Sequence, residues 1–394
     1  MSVSRDWVRM ESEISGLLLH PGGASRRAEL LACVDDYSRA AIREAHALGP
    51  TMPSTDECAR ALEWLTRPVF ICGHHRSGTT MLQSLLDGHP QLLMLPNEAT
   101  YFTSFAYVAR AAPTSAALDR FAAEWIARFV DPNFEPHFRL GRVGAERSPC
   151  VDFARALFGW NAALRGRARP NLIALLALAA AFKATTAKES IPLLWVEKTP
   201  QNEQCVGGLA GLERARFVQL VRDPRSTLAS LKETYRTNGR ARFDAAEHAR
   251  AIGRSLRLAV ENQSLLRHRY LVVRYEDLVE RTDREVERVR RFLEIAPDAS
   301  LLRPTAGGIA VRANSSFGAP VPGVIDPLRG PATLTAEDSA LLGTYAADAA
   351  NPFGYAIPAP EPLARVILRA RHSPGHGLRS GRNALRAIMR TLRR

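Results

Sequence analysis

A short glycine-containing segment has the residue types and the setting that bind phosphate. Residues 73–80 read GHHRSGTT; they follow the apolar run 69–72 and precede a helical pattern, which predicts a strand, a tight turn and a helix N-terminus. Backbone N–H groups and the helix dipole attract anions at such a turn. Gly73 and Gly78 have the spacing of the nucleotide-binding pattern G-x-x-x-x-G-K-[ST], but Thr79 stands in place of its lysine. We therefore expect the loop to bind a phosphate-like group without the usual triphosphate chemistry.

A second set of anion-binding residue types follows the apolar run 216–221. Asp223 and Pro224 are typical of the first positions of a helix. Arg222 should then lie at the end of a strand, and Ser230 about two turns along the helix. A guanidinium and a hydroxyl at this edge could clamp a second phosphate. The alternative is a structural ion pair between Arg222 and Asp223.

The elements that would position both clusters alternate between apolar runs and helical patterns. Four apolar runs, at residues 69–72, 193–196, 216–221 and 270–273, are each followed by turn or charged residues and a helical pattern. This alternation predicts a parallel sheet covered on both faces, with ligands beyond the carboxyl ends of its strands. Residues 282–285 (TDRE) fit a capping box that would start a further helix. The predicted fold class is α/β, with a P-loop-like parallel β-sheet flanked by helices.

Composition divides the chain into three parts. Residues 1–66 have apolar positions at helical spacing and should form a helical N-terminal segment packed on the main domain, residues 67–360. Within that domain, residues 102–185 are rich in Ala, Leu and aromatic side chains, so we expect a helical insertion that forms a lid or a substrate pocket. Residues 361–394 form a basic tail.

The formal charge of +13 would suggest a nucleic-acid partner, but most of this charge lies in one segment of the chain. Residues 363–394 carry nine arginines and no acidic residue, which leaves +4 (13 − 9) for the rest of the chain. A charge of that size on a large domain is not a polyanion-binding surface, so we expect no nucleic-acid partner. Only four lysines stand beside 49 arginines, so arginine content by itself says little about function.

Cysteine usage and apolar run lengths indicate the compartment. The five cysteines are odd in number and widely spaced, without a C-x-x-C pair or a histidine cluster. This pattern favours a reducing compartment over a structural zinc site or a disulfide framework. No apolar leader is visible in the first residues, and the longest apolar run, residues 172–182, is far shorter than a membrane span. We expect a cytoplasmic protein and no metal site.

The basic tail has a short amphipathic pattern near its end. Apolar residues at helical spacing fall on one face, with arginines elsewhere; they are Leu385, Ile388, Met389 and Leu392. A helix of this type can lie on anionic lipid, so peripheral membrane contact through the tail is one expectation. Disorder, or packing of the tail on the body of the protein, is the alternative.

Four ordered motifs resemble those of one enzyme family. The segments are residues 76–80 (RSGTT), 195–200 (WVEKTP), 222–230 (RDPRSTLAS) and 274–278 (RYEDL). They resemble the motifs of sulfotransferases that use 3′-phosphoadenosine 5′-phosphosulfate (PAPS), in the style of the bacterial and tyrosylprotein-type enzymes. The resemblance spans residues 69 to about 293. It implies transfer of a sulfuryl group from PAPS, as co-substrate, to an acceptor hydroxyl or amine.

The resemblance also implies which residues hold the donor. The 5′-phosphosulfate loop would consist of Arg76, Ser77, Gly78, Thr79 and Thr80, and the 3′-phosphate would be held by Arg222 and Ser230. PAPS has two separated anionic ends and no triphosphate chain, so a loop without the lysine suits it and no metal is required.

Three more residues are assigned to the donor by the same resemblance. Tyr275 would approach the nucleotide, with packing against the sheet as the alternative. Arg312 and Ser315 stand where family members often close a segment over the 3′-phosphate, although the family's usual Arg-Lys-Gly wording is absent.

Glu98, Lys198 and Arg76 are expected to act on the reacting groups. Lys198 and Arg76 would neutralise charge on the bridging oxygen during transfer; the alternative for Lys198 is a surface salt bridge with Glu197. Glu98 resembles the general base of the tyrosylprotein-type enzymes, about one residue off the family spacing. Its alternative is a solvated loop carboxylate or a helix cap. The competing candidates for the base are three histidines: His74, His75 and His137.

The sequence therefore predicts a metal-independent, PAPS-dependent sulfotransferase with a small-molecule, carbohydrate or lipid acceptor. One rival is a nucleotide-dependent kinase or phosphotransferase of the phosphate-loop class. The other is a non-catalytic nucleotide-binding scaffold that recruits partners through the arginine-rich tail. Stabilisation by 3′-phosphoadenosine 5′-phosphate without Mg²⁺ separates the first hypothesis from the kinase, and formation of a sulfated product separates it from the scaffold.

Overall fold

The computed structural model of the chain describes residues 7–18, 24–130, 148–186, 190–209, 211–237, 243–311, 325 and 334–372. Its α-helices are α1 (Trp7–Leu18), α2 (Ala24–Leu48), α3 (Thr55–Leu65), α4 (Thr79–Asp87), α5 (Ala106–Ala109), α6 (Ser115–Val130), α7 (Pro149–Ala163), α8 (Ile173–Thr185), α9 (Val206–Leu209), α10 (Pro224–Thr237), α11 (Ala245–Leu266), α12 (Tyr275–Glu280), α13 (Thr282–Leu293), α14 (Ala336–Tyr345), α15 (Ala347–Ala350) and α16 (Pro362–Arg371). Its strands are β1 (Pro68–Gly73), β2 (Leu92–Met94), β3 (Leu194–Lys198), β4 (Arg216–Val221), β5 (Tyr270–Arg274), β6 (Thr305–Ala306) and β7 (Ile309–Ala310). Short 3-10 helices lie at Pro170–Leu172, Asn202–Gln204, Arg267–Arg269, Ala299–Leu302 and Asn351–Phe353.

Five parallel strands form the central sheet, in the order β2-β3-β1-β4-β5. β1 lies in the middle, where Ile71 pairs with Lys198 of β3 on one side and with Val218 of β4 on the other. Because the strands run in the same direction, the segments that follow them meet at one edge. That edge carries residues 73–80 and Arg222. The predicted α/β fold with a P-loop-like parallel sheet is confirmed.

Helices cover both faces of the sheet, and alternate side chains of β1 enter the two cores. Val69 and Ile71 pack with apolar residues of α4 and α13 on one face. Phe70 and Cys72 pack on the other face against the N-terminal helices and the helices between residues 102 and 185. Every residue of β1 is buried. This is why the strand reads in sequence as an uninterrupted apolar run rather than as an alternating one.

The four predicted apolar runs correspond to β1, β3, β4 and β5, with small shifts at their ends. β3 starts at Leu194 and continues through Lys198, two residues beyond the predicted run. The sequence does not predict β2, because three residues are too few to show a period; β2 is an edge strand paired with β3. The antiparallel pair of β6 and β7 has two residues in each strand and likewise gives no sequence signal.

The capping box predicted at residues 282–285 is wrong. α13 does begin at Thr282, but its N-cap is Arg281, which makes no side-chain cap. The Thr282 hydroxyl donates instead to the Leu278 carbonyl at 2.8 Å, because α12 ends just before α13 and leaves its last carbonyls within reach. Capping boxes occur elsewhere, at Ser54 with Glu57 and at Thr335 with Asp338.

Two further groups of helices complete the described part of the chain. α1–α3 and α6–α8 form one buried cluster with the Phe70 face of the sheet. α10, α11, α14 and α15 surround a smaller apolar core, and α16 lies against α14. His137 and the amphipathic pattern of the tail at 385–392 lie outside the described residues. No helix within the described ranges is both long and apolar enough to cross a membrane.

Close packing between α7 and the segment before α3 generates a stability prediction. The Thr51 N–H donates to the Arg155 carbonyl at 3.0 Å, and a Cβ on Gly159 would lie 1.9 Å from the Thr51 carbonyl oxygen. Gly159→Ala should therefore lower the free energy of unfolding by about 2 kcal/mol in urea denaturation, although alanine is usually the better helix former. Gly207→Ala in α9 is the matched control, since an added Cβ there meets nothing within 4 Å. Equal losses in the two variants would contradict the close contact.

Candidate active site

Residues 73–80, here called the anion loop, turn sharply between β1 and α4. Gly73 and Gly78 have positive φ values of 133° and 98°, which side chains rarely tolerate. Arg76 also has a positive φ, 69°, so its conformation is imposed by the surrounding structure. α4 begins at Thr79 without a side-chain cap, and the N–H groups of its first turn are available to an anion. The loop therefore has the backbone geometry that the sequence predicts.

A buried carboxylate holds the start of the anion loop. Glu203 is 1 % exposed; its Oε2 accepts from the Gly73 N–H at 3.0 Å, and its Oε1 from the Ser255 hydroxyl of α11 at 2.5 Å. The Gly73 carbonyl accepts from the Gln201 N–H at 2.9 Å. Burial raises the pKa of Glu203, because water no longer solvates its charge. The segment after β3 thus ties the loop to α11.

Arg76 links the anion loop to the second cluster predicted from the sequence. Its Nε donates to the Ser230 hydroxyl at 3.0 Å, and its carbonyl accepts from Nη1 of Arg222 at 2.9 Å. Burial lowers the pKa of Arg76, and the nearby charge of Arg222 lowers it further. An anion placed at these two guanidinium groups would relieve their repulsion. The structure brings together Arg76, Arg222 and Ser230.

The ion pair considered between Arg222 and Asp223 is not formed. Asp223 pairs instead with Arg225, whose Nη2 lies 2.6 Å from the carboxylate. Oδ1 of Asp223 also accepts from the Arg225 N–H at 2.8 Å, at the start of α10. The predicted helix start at Pro224 is confirmed. Arg222 is consequently directed to the anion loop.

The ring of Tyr275 supports both Arg222 and the anion loop. The Arg222 guanidinium lies over this ring, 4.3 Å from its centroid. A Cβ on Gly78 would come within 2.3 Å of Tyr275 Cδ2, so the loop approaches the ring this closely only with glycine. Tyr275 begins α12 directly after β5 and is buried. Its ring is a platform for Arg222, a role more specific than packing against the sheet.

The hydroxyl side chains of the anion loop differ in what they contact. Ser77 donates its hydroxyl to the His74 carbonyl at 2.6 Å and its N–H to the same oxygen at 3.1 Å. Both donors of Ser77 therefore close the turn instead of facing a ligand. Thr79 is buried and Thr80 is exposed, both in the first turn of α4.

Lys198 and Glu98 form an ion pair at the carboxyl end of β3. Lys198 Nζ lies 2.7 Å from Glu98 Oε1, and the side chains are 8 % and 39 % exposed. The ammonium is enclosed while the carboxylate opens to solvent. Within the described residues, no group donates to Glu98 Oε2, so one carboxylate oxygen is left for a proton. Glu98 is not a helix cap, because the next helix starts only at Ala106.

The segment that carries Glu98 is held from two sides. Arg128 of α6 donates from Nη1 to the Glu98 carbonyl at 2.5 Å and from Nη2 to the Thr100 hydroxyl at 3.2 Å. From β3, Glu197 accepts from the Ala99 N–H at 2.8 Å. Thr100 has a positive φ of 45°, a strained conformation that persists where surrounding contacts impose it. These contacts fix the position of Glu98 relative to the sheet.

Glu197 does not form a surface salt bridge with Lys198, which is the alternative that the sequence leaves open for Lys198. It is 1 % exposed and accepts from the Thr199 hydroxyl and, at 2.6 Å, from Asn202 Nδ2. Lys198 pairs with Glu98 instead. Burial raises the pKa of Glu197 to about 7, because desolvation disfavours the charged form.

The structure describes two of the three histidines that compete with Glu98 as candidates for the general base. His74 is buried, with Nδ1 2.9 Å from the His75 carbonyl, and burial lowers its pKa to about 4. His75 is exposed. His137, Arg312 and Ser315 lie outside the described residues. In the part of the chain that the structure describes, no three His, Cys, Asp or Glu side chains are grouped to hold a metal ion.

Three residues of the site have no role assigned from the sequence: Arg128, Glu197 and Glu203. Arg128 reaches Glu98 across 30 positions of chain, and no spacing pattern announces such a contact. Glu197 and Glu203 lie within and just after the WVEKTP segment. For Glu197, one feature of the sequence indicates a structural role: it is a carboxylate at the end of a strand that is buried on both faces. Such a buried group must be hydrogen-bonded.

The raised pKa of Glu197 generates a prediction about pH. The unfolded chain releases this proton near the ordinary value of 4.5, and the folded protein only near 7, so the folded state binds more protons between these values. The contribution of Glu197 to the free energy of unfolding should therefore fall as pH rises through that window. Relative to Glu197→Gln, the wild type should lose about 3 kcal/mol between about pH 5 and about pH 8 in urea denaturation.

The matched control is Glu63→Gln, since Glu63 is an exposed carboxylate on α3. It should leave the pH dependence of the wild type unchanged. A difference between wild type and Glu197→Gln that is the same at both pH values would show that Glu197 titrates as in the unfolded chain.

The sequence of the chain matches one known protein family. The model of the Sulfotransferase family matches residues 68–299. No curated protein matches the chain significantly. Among solved structures, the sulfotransferase domain of the Synechococcus PCC 7002 olefin synthase is 20% identical, with coverage of 79% of this chain and 96% of that one and a TM-score of 0.38.

Two further solved structures have similar values. The sulfotransferase domain from the curacin biosynthetic pathway is 18% identical, covering 74% of this chain and 98% of that one, with a TM-score of 0.42. Sulfotransferase STF1 from Mycobacterium tuberculosis is 16% identical, covering 76% of this chain and 87% of that one, with a TM-score of 0.36. The assignment rests on the family model rather than on these likenesses. Because that model matches more than half of the chain, from β1 to the 3-10 helix after α13, this protein belongs to the Sulfotransferase family.

Proposed function

We propose that this protein transfers a sulfuryl group from PAPS to the hydroxyl or amine of an acceptor. The observation that carries the proposal is the position of Arg76. It belongs to the anion loop, yet its side chain contacts Ser230 and its carbonyl contacts Arg222. Two anion-binding groups are thereby held side by side without the lysine that a triphosphate loop uses.

The residues present fit a donor with two separated anionic ends. The first-turn N–H groups of α4 lack a side-chain cap, which suits the phosphosulfate end. Arg222 Nε is buried without a hydrogen-bond partner among the described residues, and a 3′-phosphate near Arg222 and Ser230 would compensate the charge of Arg222. When bound, PAPS supplies an activated sulfuryl group.

Glu98 is assigned as the base that takes the proton of the acceptor. Its Oε1 is engaged by Lys198 at 2.7 Å, and its Oε2 is directed to no donor in the described ranges. Arg128 and Glu197 hold the Glu98 segment at its backbone, so the carboxylate is positioned before an acceptor arrives. General-base help of this kind contributes about 10²- to 10⁴-fold to a rate.

We assign to Lys198 and Arg76 the role of stabilising the negative charge that develops during the transfer. The bond from sulfur to the 5′-phosphate oxygen breaks, a bond from sulfur to the acceptor oxygen or nitrogen forms, and the acceptor proton passes to Glu98. Negative charge then collects on the released phosphate. An enclosed ammonium, 8 % exposed, stabilises such charge more than one in water, because the local dielectric constant is low.

We place the acceptor on the side of the site that faces the helices between residues 102 and 185. Arg128, which positions the Glu98 segment, comes from α6 of this region. Its guanidinium is anchored over the rings of Phe105 and Trp125, at 4.8 Å and 5.1 Å from their centroids. An acceptor reaching Glu98 therefore meets a wall fixed by α6. Small-molecule, carbohydrate and lipid hydroxyls are the classes we propose.

A kinase or phosphotransferase is the second candidate, because the anion loop has the glycine spacing of nucleotide-binding loops. Donor binding distinguishes the two. 3′-Phosphoadenosine 5′-phosphate should raise the melting temperature without Mg²⁺, corresponding to about 3 kcal/mol at a ligand concentration about 100 times Kd. Arg222→Gln should weaken this binding about tenfold or more, since a charged hydrogen bond is lost. Stabilisation by Mg·ATP alone would favour the kinase.

The control for Arg222→Gln is Arg236→Gln, the same change of charge at the far end of α10. Arg236 is exposed and paired with Glu233, so its replacement should leave the affinity for 3′-phosphoadenosine 5′-phosphate unchanged. Binding of the nucleotide without any sulfated product across an acceptor panel would favour the non-catalytic scaffold.

Glu98 and Lys198 should affect turnover rather than donor binding. We expect Glu98→Gln to lower kcat about 10²- to 10⁴-fold and Lys198→Ala to lower it at least about tenfold, each with donor Kd nearly unchanged. Steady-state assays with mass-spectrometric detection of the product measure the rates, and calorimetry measures the Kd. The opposite pattern, with donor binding lost and kcat kept, would overturn the roles of both residues.

A further inference from the structure

A cleft lined by three arginines lies among the C-terminal helices. Its volume is about 440 Å³, enough for a small organic molecule. Residues of α11, α14, α15 and α16 line it: Arg250, Arg257, Thr344, Tyr345, Asp348, Ala349 and Arg369. We call it the arginine cleft. None of the roles assigned above uses these residues.

α11 separates the arginine cleft from the anion loop. Arg250 and Arg257 are seven positions apart, which places them on the same face of the helix. The opposite face of α11 lines a small cavity beside the anion loop, with Ile252, Ser255 and Leu256 next to His74 and Arg222. The two sites therefore lie on opposite sides of one helix, and the cleft is not part of the donor site.

The three arginines of the cleft are oriented but not neutralised. Each donates to a backbone carbonyl: Arg250 to Ala246 at 3.1 Å, Arg257 to Tyr345 at 3.4 Å and Arg369 to Thr344 at 3.3 Å. None of the three pairs with a carboxylate in the part of the chain that the structure describes. The one acid among the lining residues, Asp348, is 83% exposed and lies 3.6 Å from Arg365. Most of the guanidinium N–H groups are therefore left for an anion.

We propose that the arginine cleft binds a phosphate monoester. The planar fork of a guanidinium matches two oxygens of a tetrahedral oxyanion, and three forks converge on one cavity. Arg250 also lies over the Tyr345 ring, 5.4 Å from its centroid, which limits its rotation. Three positive charges that are already oriented favour a ligand that carries two negative charges.

The monoester can come from a free metabolite or from a lipid headgroup. α16, which carries Arg369, exposes an apolar stripe to solvent: Leu363 (49%), Val366 (46%) and Ile367 (51%). Because the stripe and Arg369 share α16, a membrane that presents the headgroup would also meet apolar side chains of this helix, whereas a free monoester would leave them exposed. Both ligands have the same anionic chemistry, and the test separates them.

The first arm of the test uses glycerol 3-phosphate as the free monoester. The full chain is titrated by isothermal calorimetry, and we expect saturable binding that Arg257→Gln/Arg369→Gln weakens at least about tenfold. The control is Arg43→Gln/Arg371→Gln, which removes the same charge at exposed positions outside the cleft. It should bind as the wild type does.

The second arm uses co-sedimentation with vesicles of equal parts phosphatidylcholine and phosphatidic acid, whose headgroup is a phosphate monoester. Vesicle binding that the cleft variant loses and the control variant keeps assigns a lipid headgroup as the source. Binding of neither probe to the wild type overturns the proposal, and so does binding that the two double variants change equally. If the glutamine variant unfolds, Arg257→Lys/Arg369→Lys replaces it. This variant keeps the positive charges but removes the planar guanidinium groups, so it should still weaken binding.

Discussion

The hydrogen bond from the Gly73 N–H to the buried carboxylate of Glu203 is the contact on which the proposed donor site depends. It fixes the first peptide of the anion loop, at 3.0 Å, to a group that is itself bonded to α11. A hydrogen bond contributes about 1 kcal/mol to stability, but a buried carboxyl group without its hydrogen-bond partners would cost more than that. Loop, carboxylate and helix are therefore stable only together. The left-handed conformation of Arg76 follows from this arrangement, since a mobile loop would relax it.

A second rigid unit supports the proposed acceptor side, and the two units meet in the sheet. Arg128 and Glu197 hold the backbone around Glu98, while Lys198 belongs to β3 itself and is in register with Ile71 of β1. The charged groups proposed for the reaction therefore project from strands and from segments tied to strands. Positions set in this way vary little, and preorganised charge is what stabilises a transition state without reorganisation at the moment of reaction.

The parts of this molecule that were predictable from sequence are those governed by local periodicity. β1, β3 and β4 are buried along nearly their whole length, β5 at the edge of the sheet is partly buried, and all four read as apolar runs. Their parallel order places Arg222 beside the anion loop. The contact between Arg128 and Glu98 could not be predicted, because packing of α6 on the sheet brings it about. Glu203 could not either, since a carboxylate outside a strand is usually solvated. Thr282 shows the converse: its local pattern fits a cap, and its neighbour in space, Leu278, takes the hydroxyl.

The scarcity of lysine gives the Glu98–Lys198 pair a practical consequence. Primary amines are few in a chain with four lysines and 49 arginines, and the Lys198 amine is enclosed against a carboxylate. Acylating reagents that modify amines consequently have few targets, and exposed Lys232, at 45%, provides an internal standard for reactivity. The ratio of labelling at Lys198 to labelling at Lys232, read by peptide mass spectrometry, reports occupancy of the site even when the acceptor is not known.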